Sequence, residues 1–371
     1  MRRIVVSGIN IRKGGTLTIL RDCLRYLSGE AQAGRAEVTA LVHRRELCDY
    51  PGIDYIEMPD SIQGWLRRLR HEYITMHRIS QEITERKGPI DLWLSLHDTT
   101  PRVEARRQAV YCQTSFPFMK IKARDFRMDP KIPIFALLTR FAYQINVGRN
   151  SRLIVQQRWL KEGLSRLLGV DRDKFIVAPP ERAATMPGFT PRRFEIPTFL
   201  YVSTADCHKN FETLCRAAEM LEKKLGKGRF QVILTVGGTE NRYARWLHQR
   251  WGHVESIRFE GLMDKPTLYG SYAGATCLVF MSRVETWGLP ISEFMAFGKP
   301  MILADLPYAH ETSAGSRQTA FTPVGDPKAL AQLMNNVIDG RMGAFASVPS
   351  ARQENTPTAH TWDEIFRQLT Q

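Results

Sequence analysis

No stretch of this chain approaches the roughly 18–20 uninterrupted apolar residues that a membrane-spanning helix needs, so no transmembrane helix is expected. Cysteine is sparse: six among 371 residues, at positions 23, 48, 112, 207, 215 and 277, with no C-x-x-C pair. That spacing argues against a zinc site or a disulfide framework and predicts reduced thiols in a cytosolic protein. The opening residues MRRIVVSGIN hold only a short apolar run, Ile4 to Val6, where a secretory signal needs roughly 7–15 residues. Core-forming residues are not lacking. Hydrophobic residues make up 43% and charged residues 24%, which excludes a disordered chain. At roughly 100–200 residues per domain, the length predicts two or three domains.

The net charge of +14 is unevenly placed. Residues 1–190 carry 32 Lys and Arg against 20 Asp and Glu, and residues 191–371 carry 20 against 18. The first half is therefore expected to meet something anionic: nucleic acid, an anionic membrane surface or a phosphorylated substrate. No recognised nucleic-acid motif accompanies the charge, so nucleic acid is not the expected partner.

Short β-rich runs alternate with helical patterns along the chain. Strands are expected at Arg3–Ser7, Glu37–His43, Asp91–Ser95, Ala109–Gln113, Leu153–Gln157 and Phe175–Ala178. Leu17, Leu20, Leu24 and Leu27 recur at spacings of three and four, the pattern of a helix from Thr16 with one buried face. Residues 179–197 hold five prolines and read as a linker. The alternation then restarts with strands at Phe199–Ser203, Phe230–Val236, Ile257–Glu260, Thr276–Met281 and Pro300–Ala304. Alternating strands and helices specify parallel sheets covered on both faces. The expected architecture is α/β, with Rossmann-like doubly wound domains at 1–185 and 195–355 and a ligand site in the cleft between them. A last helix within 356–371 is expected to begin with a capping box, Thr361 as N-cap and Glu364 at N3, and to pack back on the first domain.

The densest chemical signal is residues 282–311, SRVETWGLPISEFMAFGKPMILADLPYAHE. Glu285 and Glu293 flank Trp287-Gly288-Leu289-Pro290. Gly and Pro there start a helix, with Pro in the first turn, where a missing N–H costs nothing. Free N–H groups at such a start suit a diphosphate. The two carboxylates can accept hydrogen bonds from sugar or ribose hydroxyls.

This stretch resembles the E-x7-E signature of retaining glycosyltransferases of family 4, which have the GT-B fold. The matching residues are Ser282, Glu285, Trp287, Gly288-Leu289-Pro290, Glu293, Ala296, Gly298, Pro300, Asp305-Leu306-Pro307 and Glu311. The resemblance implies that Glu285 contacts the donor sugar and Glu293 the nucleotide ribose. It also implies that amides around Thr286, Gly288 and Leu289 hold the sugar or diphosphate. Lys13-Gly14-Gly15-Thr16 looks like the family's N-terminal glycine loop, placing Gly14 and Gly15 near the donor. Lys209-Asn210, with Ser203 and Thr204 upstream, resembles the lysine motif, in which the lysine neutralises the leaving diphosphate. Glu285 and Lys209 are thus the implied catalytic pair. Gly261 and Leu262 lie in the loop that usually receives the base.

In the first domain, His97 and Gln113 are the implied acceptor-binding residues. Gln113 stands where many relatives carry a histidine, and Ser203-Thr204 where many carry an arginine. Those two departures support an alternative, a donor-binding or scaffolding subunit that binds without turnover. No metal is expected. Asp171-Arg172-Asp173 lies between a helix and a strand with no third carboxylate, so it is not a metal motif. No cofactor is implied beyond the nucleotide diphosphate sugar itself. The resemblance therefore implies a metal-independent, retaining hexosyltransferase. Two basic segments, Trp65–Lys87 and Phe116–Lys131, suit an anionic membrane surface. Together with the charge asymmetry, they point to a lipid-linked glycan acceptor in surface polysaccharide (O-antigen-like) assembly. The protein would then be cytoplasmic and peripheral on the inner face of the membrane.

Overall fold

The computed structural model describes residues 1–62, 65–180, 188–350 and 357–371. Two all-parallel sheets organise the chain. The first contains β1 (Arg2–Gly8), β2 (Ala36–Val42), β3 (Ile53–Glu57), β4 (Leu92–Ser95), β5 (Arg107–Tyr111), β6 (Arg152–Val155) and β7 (Phe175–Val177). Its strand order is β3-β2-β1-β4-β5-β6-β7. The second contains β8 (Thr198–Tyr201), β9 (Gln231–Leu234), β10 (Ile257–Phe259), β11 (Cys277–Phe280), β12 (Met301–Ala304) and β13 (Thr319–Thr322). Its order is β10-β9-β8-β11-β12-β13. Both orders reverse beside their first strand, so each sheet is doubly wound with a switch point, between β1 and β4 and between β8 and β11. This is the two-sheet α/β architecture that the resemblance implies.

Helices pack on both faces of the first sheet, α1 (Gly14–Gln32) in one core and α3 (Met76–Lys87) in the other. The first half of the chain also holds α2 (Trp65–Arg70), α4 (Ala123–Met128), α5 (Lys131–Gln144) and α6 (Arg158–Leu168). A π-helical turn, His71–Thr75, joins α2 to α3. With the second sheet come α7 (Phe211–Leu225), α8 (Arg242–Trp251), α9 (Lys265–Gly274), α10 (Leu289–Met295), α11 (Pro307–Thr312) and α12 (Pro327–Ile338), and α13 (Trp362–Thr370) ends the chain. Alternation along β1 sends Ile4 and Val6 to one core and Val5 to the other. The first core packs Leu17, Leu20, Leu24 and Leu27 of α1, together with Trp362, Ile365 and Phe366 of α13. The second packs Met76 and Ile83 of α3 against Val5 and Trp93.

The chain divides into two compact units. One holds Met1–Pro117, Leu137–Glu181 and Glu354–Gln371, and the other Phe118–Ala136 and Arg182–Gln353. The sequence boundaries assign 118–136 to the first domain, but these residues pack with the second unit, and α5 runs across the division. The expected boundaries at 185 and 355–356 fall outside the described residues, as does the part of the proline-rich linker at 181–187. The rest of that linker is not a free tether. Phe189 packs its ring on Tyr269 and Phe297, and Arg192 forms a two-pronged bond to Glu260.

Three local expectations change. The helix expected from Thr16 begins at Gly14, so the Gly-Gly pair forms its first turn. Two strands, β3 and β13, have no counterpart in the sequence reading; both lie at a sheet edge. At α13, Thr361 caps the Glu364 N–H at 3.2 Å, while Glu364 reaches back to the His360 N–H at 2.6 Å rather than to that of Thr361.

Candidate functional site

The switch point of the second sheet brings two loops together: residues 202–210 after β8 and residues 281–288 after β11. Ligands of doubly wound sheets bind at this place, outside the carboxyl ends of the strands. Lys209 comes from the first loop and Glu285 from the second. Their side chains meet, with Nζ 2.6 Å from Oε1 and both largely buried. The loops are also joined through the backbone. The Asn210 side chain donates to the Met281 carbonyl at 3.1 Å, and the Arg283 N–H donates to the His208 carbonyl at 2.8 Å. The Tyr201 hydroxyl donates to the Lys209 carbonyl. Asn210 adopts a left-handed conformation, φ 58°, which asparagine tolerates better than most residues.

Gly288 is the N-cap of α10 at φ 87°. A side chain there would be strained and would press on Ile291, so glycine is required. Pro290 occupies the first turn, as the sequence predicts. Glu293 lies further along α10, and the Tyr272 hydroxyl donates to its carboxylate at 2.9 Å. Burial raises the Glu293 carboxyl above the usual range, against the hydrogen bond from Tyr272 and the charge of Lys265. Trp287 donates its indole N–H to Ser292 at 3.1 Å, and its carbonyl accepts from Thr312. Thr286 is half-buried beside it and Leu289 is exposed. Leu262 is 88% exposed next to Gly261, whose φ of 78° lets the backbone pass Gly237 closely. The Thr204 hydroxyl donates to Asp206 at 2.6 Å, and the Ser203 N–H donates to Thr235 at 2.9 Å.

Of the expected acceptor residues, His97 follows β4 at the switch point of the first sheet and Gln113 follows the neighbouring β5. His97, after β4, is enclosed rather than presented. Its Nε2 is 2.8 Å from the Ser7 hydroxyl, and its Nδ1 lies 3.1 Å from both Thr99 and Glu72. Such a ring organises the strand ends, and an acceptor would reach it only after displacement of these partners. Gln113 is buried too, donating its amide to the Leu96 carbonyl at 2.6 Å. Its own carbonyl oxygen lacks a partner, which leaves one acceptor atom for a ligand hydroxyl. Gly14 stands at φ 71° with open space around its α-carbon, and Gly15 follows it in the first turn of α1. Asp171 accepts from the Asp173 N–H at 2.9 Å and caps a short 3₁₀ turn, a structural use of that carboxylate.

Several residues of this site went unread in the sequence. Arg283 lies inside the E-x7-E stretch, yet only the structure gives it a partner, Asp125. Burial alone would raise the Asp125 carboxyl, but the Arg283 guanidinium and the Lys122 N–H hold it below the usual range. Tyr272 carried no signal beyond a helical tyrosine. His208 sits beside Lys209. Burial, followed by the charges of Lys209 and Arg283, pushes its imidazole well below the usual range, so it is neutral.

Comparison with known proteins agrees with this geometry. Residues 196–339, which span the second sheet, match the family model for glycosyl transferases group 1. The O-antigen chain mannosyltransferase RfbU of Salmonella typhimurium is 23% identical over 286 residues, covering 74% of this chain and 75% of that protein. Among solved structures, sucrose-phosphate synthase of Thermosynechococcus elongatus superposes with a TM-score of 0.66 at 17% identity, covering 93% of this chain and 91% of that one. The Anabaena protein HepE in complex with UDP-glucose gives a TM-score of 0.61 at 15% identity, covering 94% and 93%. These likenesses identify the two-domain fold as GT-B. Residues 196–339 are thus similar to the glycosyl transferases group 1 family.

Proposed function

We propose that this protein is a retaining, metal-independent hexosyltransferase. It moves a hexose from a nucleotide diphosphate sugar to a lipid-linked glycan in surface polysaccharide (O-antigen-like) assembly. The observation that carries this reading is the Lys209–Glu285 pair at the switch point of the second sheet, with Glu293 just beyond it. A cation fixed there lies where a leaving diphosphate gains charge, which is the place such a group lowers a barrier most. In the reaction, the bond between the anomeric carbon and the phosphate oxygen breaks, and the electron pair leaves with the diphosphate. An acceptor hydroxyl bonds to the same carbon, and its proton passes to the departing phosphate. Lys209 balances the new negative charge, Glu285 receives the sugar hydroxyls and Glu293 those of the ribose. No metal is needed when a lysine supplies the positive charge. The names of the Salmonella relative and of the UDP-glucose complex support the substrate class.

The membrane side of the reading rests on α5. Ile134, Leu137, Leu138 and Phe141 are exposed along one face, beside Lys131 and Arg140, and Phe126 and Arg127 of α4 are exposed as well. Apolar side chains between cations suit an anionic lipid surface, where a lipid-linked acceptor would be met. No helix among the described residues is long and apolar enough to cross a membrane.

Thermal unfolding with UDP, GDP, dTDP and CDP in turn tests the donor site. A ligand at about 100 times its Kd stabilises by ~2.7 kcal/mol. One nucleotide is expected to stabilise the wild type but not Glu293→Ala. Glu285→Gln, which frees Lys209 from its carboxylate, is expected to bind that nucleotide more tightly, by about threefold to tenfold. Stabilisation by none of the four would refute the donor reading. Binding without turnover, with anionic vesicles and glycolipid acceptors supplied, would favour the donor-binding subunit instead.

A further inference from the structure

Arg283 and Asp125 are separated by 158 positions in sequence, and their side chains are 3% and 0% exposed. The guanidinium donates to both carboxylate oxygens, at 2.9 and 2.6 Å. It also donates to the carbonyls of Lys120 and Cys207, each at 3.3 Å. The Arg283 backbone N–H holds the His208 carbonyl at 2.8 Å. Arg283 therefore ties three segments of the second unit together: residues 118–129, the loop that ends in Lys209, and its own loop, two residues before Glu285. A two-pronged arginine–carboxylate bond fixes orientation as well as distance. Such a pair adds little net stability over well-packed apolar residues of similar volume, so its distinctive contribution is geometric.

We propose that Asp125, acting through Arg283, is a positioning residue for the donor site: it sets the spacing at which Lys209 meets the donor diphosphate and Glu285 the donor sugar. This rests on the donor reading above. The segment that carries Asp125 has a second clamp, Arg124 on Glu212, with the Tyr243 hydroxyl on the same carboxylate and Arg124 over the Trp246 ring at 5.6 Å. Among the described residues that clamp shares no hydrogen bond or ion pair with the Lys209 or Glu285 side chains, which makes it a control for docking of the segment alone.

The test is nucleotide affinity by calorimetry alongside urea unfolding, on the full chain, with UDP, GDP, dTDP and CDP. The double variant Asp125→Leu/Arg283→Met replaces the pair with apolar side chains. It is expected to unfold near the wild-type midpoint while losing about tenfold or more in affinity for the preferred nucleotide. Arg124→Gln is expected to lower the midpoint and leave affinity within about twofold. Wild-type affinity in the folded double variant overturns the proposal, because the pair is then packing only. So does an equal loss in Arg124→Gln, which would signal general loosening. Should the double variant not fold, Asp125→Glu decides: the longer side chain keeps the charge and shifts the guanidinium, so unchanged affinity overturns the proposal. If the wild type binds none of the four nucleotides, the donor reading itself fails and the positioning role falls with it.

Discussion

At the scale of single residues, burial and neighbouring charges set the protonation of the groups around Lys209. His208 is neutral because burial and two adjacent cations oppose its protonation. As pH falls below about 6.5, the unfolded chain takes a proton at this residue and the folded chain does not. Stability from His208 is therefore present above that pH and is lost as pH falls. Glu293 acts in the opposite sense, since its raised carboxyl binds a proton more tightly in the folded state. Its contribution is full below about pH 4.5 and is lost as pH rises through its folded value. Urea titrations of wild type and His208→Asn between pH 7.5 and 5 separate the two. The variant is expected to lose less stability on acidification, and parallel curves would refute the assignment. The residues that sequence reading placed most directly, Glu285, Glu293 and Gly288, lie within one loop and helix start, so their geometry is dictated locally. His97 was harder. Position after a strand suggested a ligand-facing ring, but burial of that ring depends on Glu72 from a distant π turn.

At the scale of elements, α4 and α5 join two properties. Asp125 of α4 reaches the loop that carries Arg283 and Glu285, and α5 exposes its apolar face to solvent. Phe141, 64% exposed, contributes most apolar surface to that face at little cost to the fold. Phe141→Asp is expected to reduce co-sedimentation with vesicles of anionic phospholipid by about tenfold and to leave the unfolding midpoint nearly unchanged. Equal binding of wild type and variant, or equal binding to neutral vesicles, would refute the lipid reading of α5. Periodicity alone did not reveal this face. Lys131–Gln144 carries apolar residues all round, and which side is covered depends on tertiary packing.

At the scale of the whole molecule, the chain returns to its first sheet at its end. Phe366 of α13 stacks on Tyr26 of α1 at 5.3 Å, Trp362 approaches Tyr111, and Tyr26 donates to Asp363 at 3.2 Å. The Arg107 guanidinium holds the last carbonyl groups of the chain. Phe366→Ala is expected to destabilise the first unit by about 3–5 kcal/mol, read as a lower urea midpoint with nucleotide affinity retained. A loss below about 1 kcal/mol would mean that α13 contributes little to this core.

The sequence by itself determined the alternation of strands and helices, the second Rossmann-like unit and the E-x7-E loop, because each depends on neighbours within about thirty residues. It also placed the excess positive charge in the first half, since charge is counted without folding. It missed β3 and β13, whose edge positions exist only once the other strands have paired. Only the tertiary structure decided that 118–136 belongs with the second sheet, that Arg283 meets Asp125, and that Lys209 meets Glu285 across the switch point. The physical reason is common to all three. Each is a contact between segments brought together by sheet order and burial, and no local spacing encodes a partner so far along the chain.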